Sequence, residues 1–190
     1  MIDAKQFYSD YVSAVTKEYW KDYHDNSRWT ERVTQLIRKQ IEAYGLESQT
    51  EYFRIDITGW ESRWNDIKEA AHKVGLNPHL WDLRIAVEHE NNSSDWSDEL
   101  IKLVHIRCPL KVIIGYTPCD LRNSGGKEDE RLSFAAKVLQ MVDAFDPTSK
   151  EQILVILGNS APSKSSSPAY SDYGYRGYIY DYADGKFLTL

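Results

Sequence analysis

Residues 81–90 read WDLRIAVEHE, and residues 50–59 read TEYFRIDITG. Both stretches alternate as half-buried strands do. In the first, Leu83, Ile85 and Val87 take one face, while Arg84, Ala86, Glu88 and Glu90 take the other. In the second, Phe53, Ile55 and Ile57 point one way and Arg54, Asp56 and Thr58 the other, so residues 50–59 are predicted as one strand. Glu88 and Glu90 lie two apart and leave the same face. If the two strands pair, Asp56, Glu88 and Glu90 converge. Carboxylates held that close repel, and some take up protons instead. A divalent cation, Mg²⁺ or Mn²⁺, relieves the crowding because hard cations prefer oxygen ligands. Asp56, Glu88 and Glu90 are therefore the predicted metal ligands.

On the N-terminal side, Phe7, Tyr11, Val12, Val15, Tyr19 and Tyr23 recur at helical spacing over residues 7–23. After a polar break at residues 24–28, Thr30 and Glu31 open a second helix. Val33, Leu36, Ile37, Ile41 and Tyr44 line it and Gly45 caps it. A helix is predicted over residues 61–74, between the two strands. On the C-terminal side, Leu100, Leu103 and Val104 line a helix that Pro109 stops. KVIIGY (residues 111–116) and QILVIL (residues 152–157) are continuous apolar runs, as strands covered on both faces require. Leu132, Ala135, Ala136, Leu139, Val142 and Phe145 place a helix over residues 128–145 between them. Residues 117–126 and 160–171 read as loops. Residues 178–181 and 187–190 read as a hairpin around Asp184-Gly185. Strand–helix–strand units after Trp81 favour right-handed crossovers and local parallel pairing. The expected fold is thus α/β, a central mixed sheet flanked by helices, in a single domain over residues 1–190.

Composition narrows the function. The 190 residues suffice for one sizeable core, and 42% hydrophobic content argues against disorder. A formal net charge of −6 is the opposite of a non-specific nucleic-acid coater. Any DNA-binding surface would be a local basic patch, or one split across two subunits. Cys108 and Cys119 form no CxxC pair and have no His at zinc-ligand spacing, so both are read as reduced and structural. The opening residues lack an apolar core, no run is long enough to span a bilayer, and a reducing cytoplasm is the expected compartment. The commonest nucleotide-binding loops and the GxSxG elbow are missing.

An apolar strand carrying Asp, an apolar strand ending in Glu-x-Lys, then a helix and a buried strand resembles the PD-(D/E)xK nuclease superfamily, whose fold is restriction-endonuclease-like. The parts here are FRIDI, AVEHEN, SDELIKL and LKVIIGY, in a core over about residues 30–157. The resemblance implies that Asp56 is the motif Asp and Glu88 the motif Glu. Glu90 stands where the superfamily places Lys. Lys102, in the early turns of the following helix, is the candidate to supply that charge. The implied function is a Mg²⁺- or Mn²⁺-dependent phosphodiesterase acting on DNA, with catalytic residues Asp56, Glu88, Glu90 and Lys102. The alternative is a catalytically inactive domain of the same fold, acting as an interaction or regulatory subunit, either as a homodimer or with a partner protein.

Each candidate has a blander reading. Asp56 and Glu88 could be ion-paired to Arg54 and Arg84, although buried pairs seldom repay desolvation. Lys102 could be an ordinary helix cation. His89 points away from Glu88, as a core histidine would. The tyrosines at 170, 173, 175, 178, 180 and 182, with Arg176, either stack on unpaired bases or pack against the sheet.

Overall fold

The computed structural model describes residues 2–118, 127–160 and 173–190. Its elements are α1 (Ala4–Ala14), a 3₁₀ turn (Lys17–Tyr19), α2 (Trp20–Tyr23), α3 (Asn26–Ala43), β1 (Glu47–Tyr52), β2 (Ile55–Ser62), α4 (Trp64–Lys73), β3 (Trp81–His89), α5 (Trp96–Val104), β4 (Leu110–Thr117), α6 (Lys127–Gln140), β5 (Gln152–Asn159), β6 (Arg176–Asp181) and β7 (Lys186–Thr189). The seven strands form one mixed sheet in sequence order. β1, β2 and β3 are antiparallel neighbours, β3, β4 and β5 are parallel, and β6 and β7 return antiparallel. The mixed α/β architecture expected from the periodicity is therefore present.

Two apolar layers sandwich the sheet. On one face, Phe7, Tyr11, Trp29, Val33, Ile37 and Ile41 of α1 and α3 meet Ile57, Val87, Val112, Ile114 and Ile156. On the other, Leu100 and Leu103 of α5 and Leu132 and Leu139 of α6 meet Ala86, Ile113, Ile153 and Val155. Both helices linking the parallel strands thus lie on the same face. α5 sits close because Gly115 leaves room for Trp96: a Cβ at Gly115 would lie 2.8 Å from the Trp96 Cβ. That contact seats the helix that carries Lys102.

Residues 50–59 are not one strand. They hold a hairpin, with Tyr52 opposite Ile55 and a two-residue turn at Phe53-Arg54. Both turn residues have positive φ, 51° and 63°. Phe53 accordingly leaves the strand alternation and is 72% exposed. The first helix is also shorter than its apolar spacing suggests. α1 stops at Ala14, and α3 begins at Asn26, where the Asp25 side chain caps it by accepting from the Arg28 N–H. α6 ends at Gln140, and α4 spans only Trp64–Lys73. No described helix is long and apolar enough to cross a membrane.

Candidate active site

β2 and β3 pair Ile57 with Val87, so Asp56 stands next to Glu88 at the start of one strand and the end of the other. The two are interlocked through the backbone. The His89 N–H donates to Asp56 Oδ2 at 2.8 Å, and the Asp56 N–H lies 3.4 Å from Glu88 Oε2. Asp56 is half-buried, while Glu88 is fully buried.

The cation comes from α5. Lys102 Nζ lies 2.9 Å from Glu88 Oε1 and 2.5 Å from Glu99 Oε2, and donates to the Arg54 carbonyl at 3.0 Å. Glu99 and Lys102 stand three apart on the helix, so both reach the same side. Meanwhile Trp96, Leu100 and Leu103 hold the opposite side in the core. Glu88 Oε1 is buried with the Lys102 ammonium as its ionic partner.

Burial is the main cause that raises the Glu88 pKa, to about 8. Lys102 pulls it down, and the charges of Asp56 and Glu99 push it up again. Burial lowers the Lys102 pKa, but its contacts with Glu88 and Glu99 outweigh this, and the net shift is upward. The two tendencies conflict, since a fully charged pair would hold Glu88 down. For Glu88 burial wins, and the net shift is upward. Lys102 shares its charge with Glu99 and the Arg54 carbonyl, while Glu88 is sealed from water beside two further acids.

Glu90 does not join this group. Its backbone N–H continues the β3–β4 pairing, donating to the Ile114 carbonyl at 2.9 Å. Its carboxylate turns onto its own loop and accepts from the Asn92 N–H at 2.6 Å. It borders an open cleft of about 540 Å³ with Trp29, Tyr116, Asn91 and Ser93. The expected convergence of three acids is thus replaced by a pair, because β3 ends at His89 and the period of two ends with it. Among the described residues, no three His, Cys, Asp or Glu side chains are grouped to hold a metal ion. Asp56 and Glu88 are hard oxygen donors of the kind a divalent ion takes. Mg²⁺ commonly takes one or two protein carboxylates and completes its shell with water and substrate phosphate. An ion held there would share Glu88 Oε1 with the Lys102 ammonium, 2.9 Å away.

Neither arginine expected beside the acids pairs with them. Arg84 pairs with Glu61 at 2.7 Å and Asp82 at 3.3 Å. Arg54 meets the site only through its carbonyl. His89 is buried against Tyr116, its Nε2 2.9 Å from the phenol oxygen, and burial lowers its pKa to about 3. Tyr173, Tyr178 and Tyr180 are buried, as the packing reading of the tail expects, while Tyr170 lies outside the described residues. Cys108 is free and buried, and burial pushes its thiol up to about 12. Cys119 lies outside the described residues.

Two ionic features were missed in the sequence. Arg176 grips Glu128 with Nε and Nη2 at 2.7 and 2.6 Å, and Thr117 and Asn159 complete the network. Lys111, buried in the apolar run, pairs with Glu151 at 2.7 Å. For the second pair the signal was present: a Lys and a Glu at the openings of two parallel apolar strands.

No family model, curated protein or solved structure matches the chain.

Proposed function

We propose that the chain is a metal-dependent phosphodiesterase acting on DNA, built on a restriction-endonuclease-like core. The observation that carries this reading is Lys102 Nζ at 2.9 Å from the buried Glu88, beside Asp56. An acid on β2, an acid on adjacent β3, and a lysine delivered by the next helix reproduce the superfamily's order, with the lysine moved from the strand to α5. The α3–β1–β2–β3–α5–β4 succession agrees with it as well.

Asp56 and Glu88 would hold Mg²⁺ or Mn²⁺. When bound, such an ion polarises a phosphate oxygen and lowers the pKa of a coordinated water. Glu88 is kept ready by burial, which makes its bare charge costly and its affinity for a cation high. Lys102 is pinned by Glu99 and the Arg54 carbonyl, so its ammonium sits at the acid pair with little freedom to lose. In this reading it offsets the charge of a phosphate. Glu90 borders the neighbouring cleft and takes no part in the step.

The test is cleavage of labelled DNA in Mg²⁺ or Mn²⁺. Asp56→Ala and Glu88→Gln abolish cleavage, and Lys102→Met lowers the rate by about 100-fold or more, as loss of a preorganised charge does. Full activity in Asp56→Ala and Glu88→Gln refutes the assignment. A second reading, an inactive interaction or regulatory subunit, is favoured by the same ion pairs, because Lys102 and Glu99 already close over a Glu88 with no exposed surface. Absence of Mn²⁺ binding by calorimetry at pH 8.5 selects that reading.

A further inference from the structure

The turn at Phe53-Arg54 is costly to the fold in two ways. In this conformation Asn-Gly or Asp-Gly is the favoured pair, because φ is positive at both positions. Here a bulky ring and an arginine occupy it. All the described non-glycine residues with positive φ, Glu51, Phe53 and Arg54, belong to this one hairpin. Phe53 gains no burial in return, being 72% exposed. Strain of this kind is kept where the surroundings impose it, and it clusters at binding sites.

The hairpin tip also touches the candidate active site, through the 3.0 Å bond from Lys102 Nζ to the Arg54 carbonyl. From that tip a row of rings runs along the sheet. Phe53 and Tyr52 have centroids 4.5 Å apart, Tyr52 and Trp81 5.4 Å, and Trp81 and Trp60 6.1 Å. Tyr52, Trp60 and Trp81 line a small apolar hollow of about 250 Å³, with the polar side chains of Gln49 and His79 at its border. Gln49 is registered opposite Thr58, and Thr58 opposite Ala86, so this hollow lies on the same sheet face as Asp56 and Glu88. α3 packs on β1 and β2 from the other face. Among the described residues the Arg54 guanidinium has no hydrogen bond or ion pair, whereas nearby Arg63 and Arg84 are both tied to acids.

From these observations we infer that the β1–β2 hairpin is a stacking platform for unpaired bases, making the preferred substrate single-stranded or locally unpaired nucleic acid. An exposed ring with half-buried rings behind it, a free guanidinium and amide or imidazole groups beside them are what recognise a splayed base and its phosphate. The bases would lie along Phe53, Tyr52 and Trp81, with Arg54 on the backbone and the acid pair one residue beyond. The inference rests on the nuclease reading for its orientation, but its test does not.

The test is fluorescence anisotropy of a labelled oligothymidylate and of a matched duplex with the full chain in EDTA. There binding is read without cleavage. Phe53→Ala weakens single-strand binding about tenfold, Phe53→Trp restores it, and duplex binding stays unchanged. Phe53→Asn separates structure from binding, because it relieves the turn. It raises the melting temperature while weakening single-strand binding as Phe53→Ala does. Unchanged single-strand affinity in Phe53→Ala overturns the inference, as does a sedimentation shift showing that Phe53 instead holds two copies together. Wild-type binding that responds to Phe53 without any Mg²⁺-dependent cleavage refutes the nuclease reading and leaves the platform standing. Cleavage that is indifferent to Phe53 does the reverse.

Discussion

Replacing Glu88 with Gln tests whether the site is held at the expense of the fold. Burial and the neighbouring acids raise the Glu88 pKa from 4.5 to about 8. Between those values the folded chain keeps a proton on Glu88 that the unfolded chain has released. Stability from this group is therefore fully present below pH 4.5 and is lost as pH rises through 8. The whole shift corresponds to roughly 5 kcal/mol at 1.36 kcal/mol per tenfold change. Movement of Lys102 and entry of water reduce it, leaving about 2–3 kcal/mol to be recovered. Gln copies the protonated acid in shape and charge. Glu88→Gln should therefore match wild type at pH 5 and melt about 4–12 °C higher at pH 8.5, at roughly 2–4 °C per kcal/mol for a chain of this size. The assay is a pair of melting curves from pH 5 to 9, with a Mg²⁺ arm. The ion should raise the wild-type melting temperature at pH 8.5 and leave the variant unmoved. A gap that stays constant across the pH range refutes the burial argument for Glu88, whatever its role in cleavage.

Two further outcomes follow from the buried polar groups. Arg176→Met strands Glu128, which is only 9% exposed, and should cost about 3 kcal/mol, or roughly 6–12 °C in melting temperature. Adding Glu128→Leu should return most of that loss, and a double variant no better than the single one contradicts the assignment. His89, lowered to about 3 by burial, should remain neutral at pH 5 in nitrogen-15 spectra. Its contribution to stability drains as pH falls from 6.5 towards 3, because only the unfolded chain takes up the proton; a titration near pH 6 contradicts this.

The strands that carry the core were legible because their patterns have one interpretation. KVIIGY and QILVIL are too short for helices and too apolar for one-sided strands, and they became the central parallel pair β4 and β5. Residues 81–89 became β3, although a bulge opposite Gly59-Trp60 carries Leu83 to the apolar layer opposite that of Ile85 and Val87. The β1–β2 hairpin was hidden for a physical reason. Its turn consists of Phe53 and Arg54, which read as strand residues, and the alternation of Phe53, Ile55 and Ile57 runs through it by coincidence. Tertiary context overrides local preference there, and the residues involved lie against the candidate site, where such overrides are expected. The Asp56–Glu88 pair was readable from strand parity, and Lys102 does come from the helix that follows β3, but from the last turn of α5 and not from its early turns. Parity also misled. It extended β3 by one residue to Glu90, whose carboxylate the chain had already turned onto its own loop.

The rim above β3, β4 and β5 gives one more reason to separate function from structure. There the apolar layers end, and Glu88, His89, Thr117 and Asn159 take over, all buried. At Glu128 the rim is closed completely. Both carboxylate oxygens are held by Arg176, Thr117 contributes its hydroxyl and Tyr178 donates its phenol. Those contacts hold the Glu128 pKa below its ordinary value in spite of burial. Two strands away, Glu88 is buried as deeply, yet its one ammonium is shared with Glu99 and it has two acids beside it. The same fold therefore neutralises one buried glutamate fully and leaves another only partly compensated. Stability alone gives no reason for that difference, since a glutamine at position 88 would be cheaper at neutral pH. A site that must accept a cation and release it gives one.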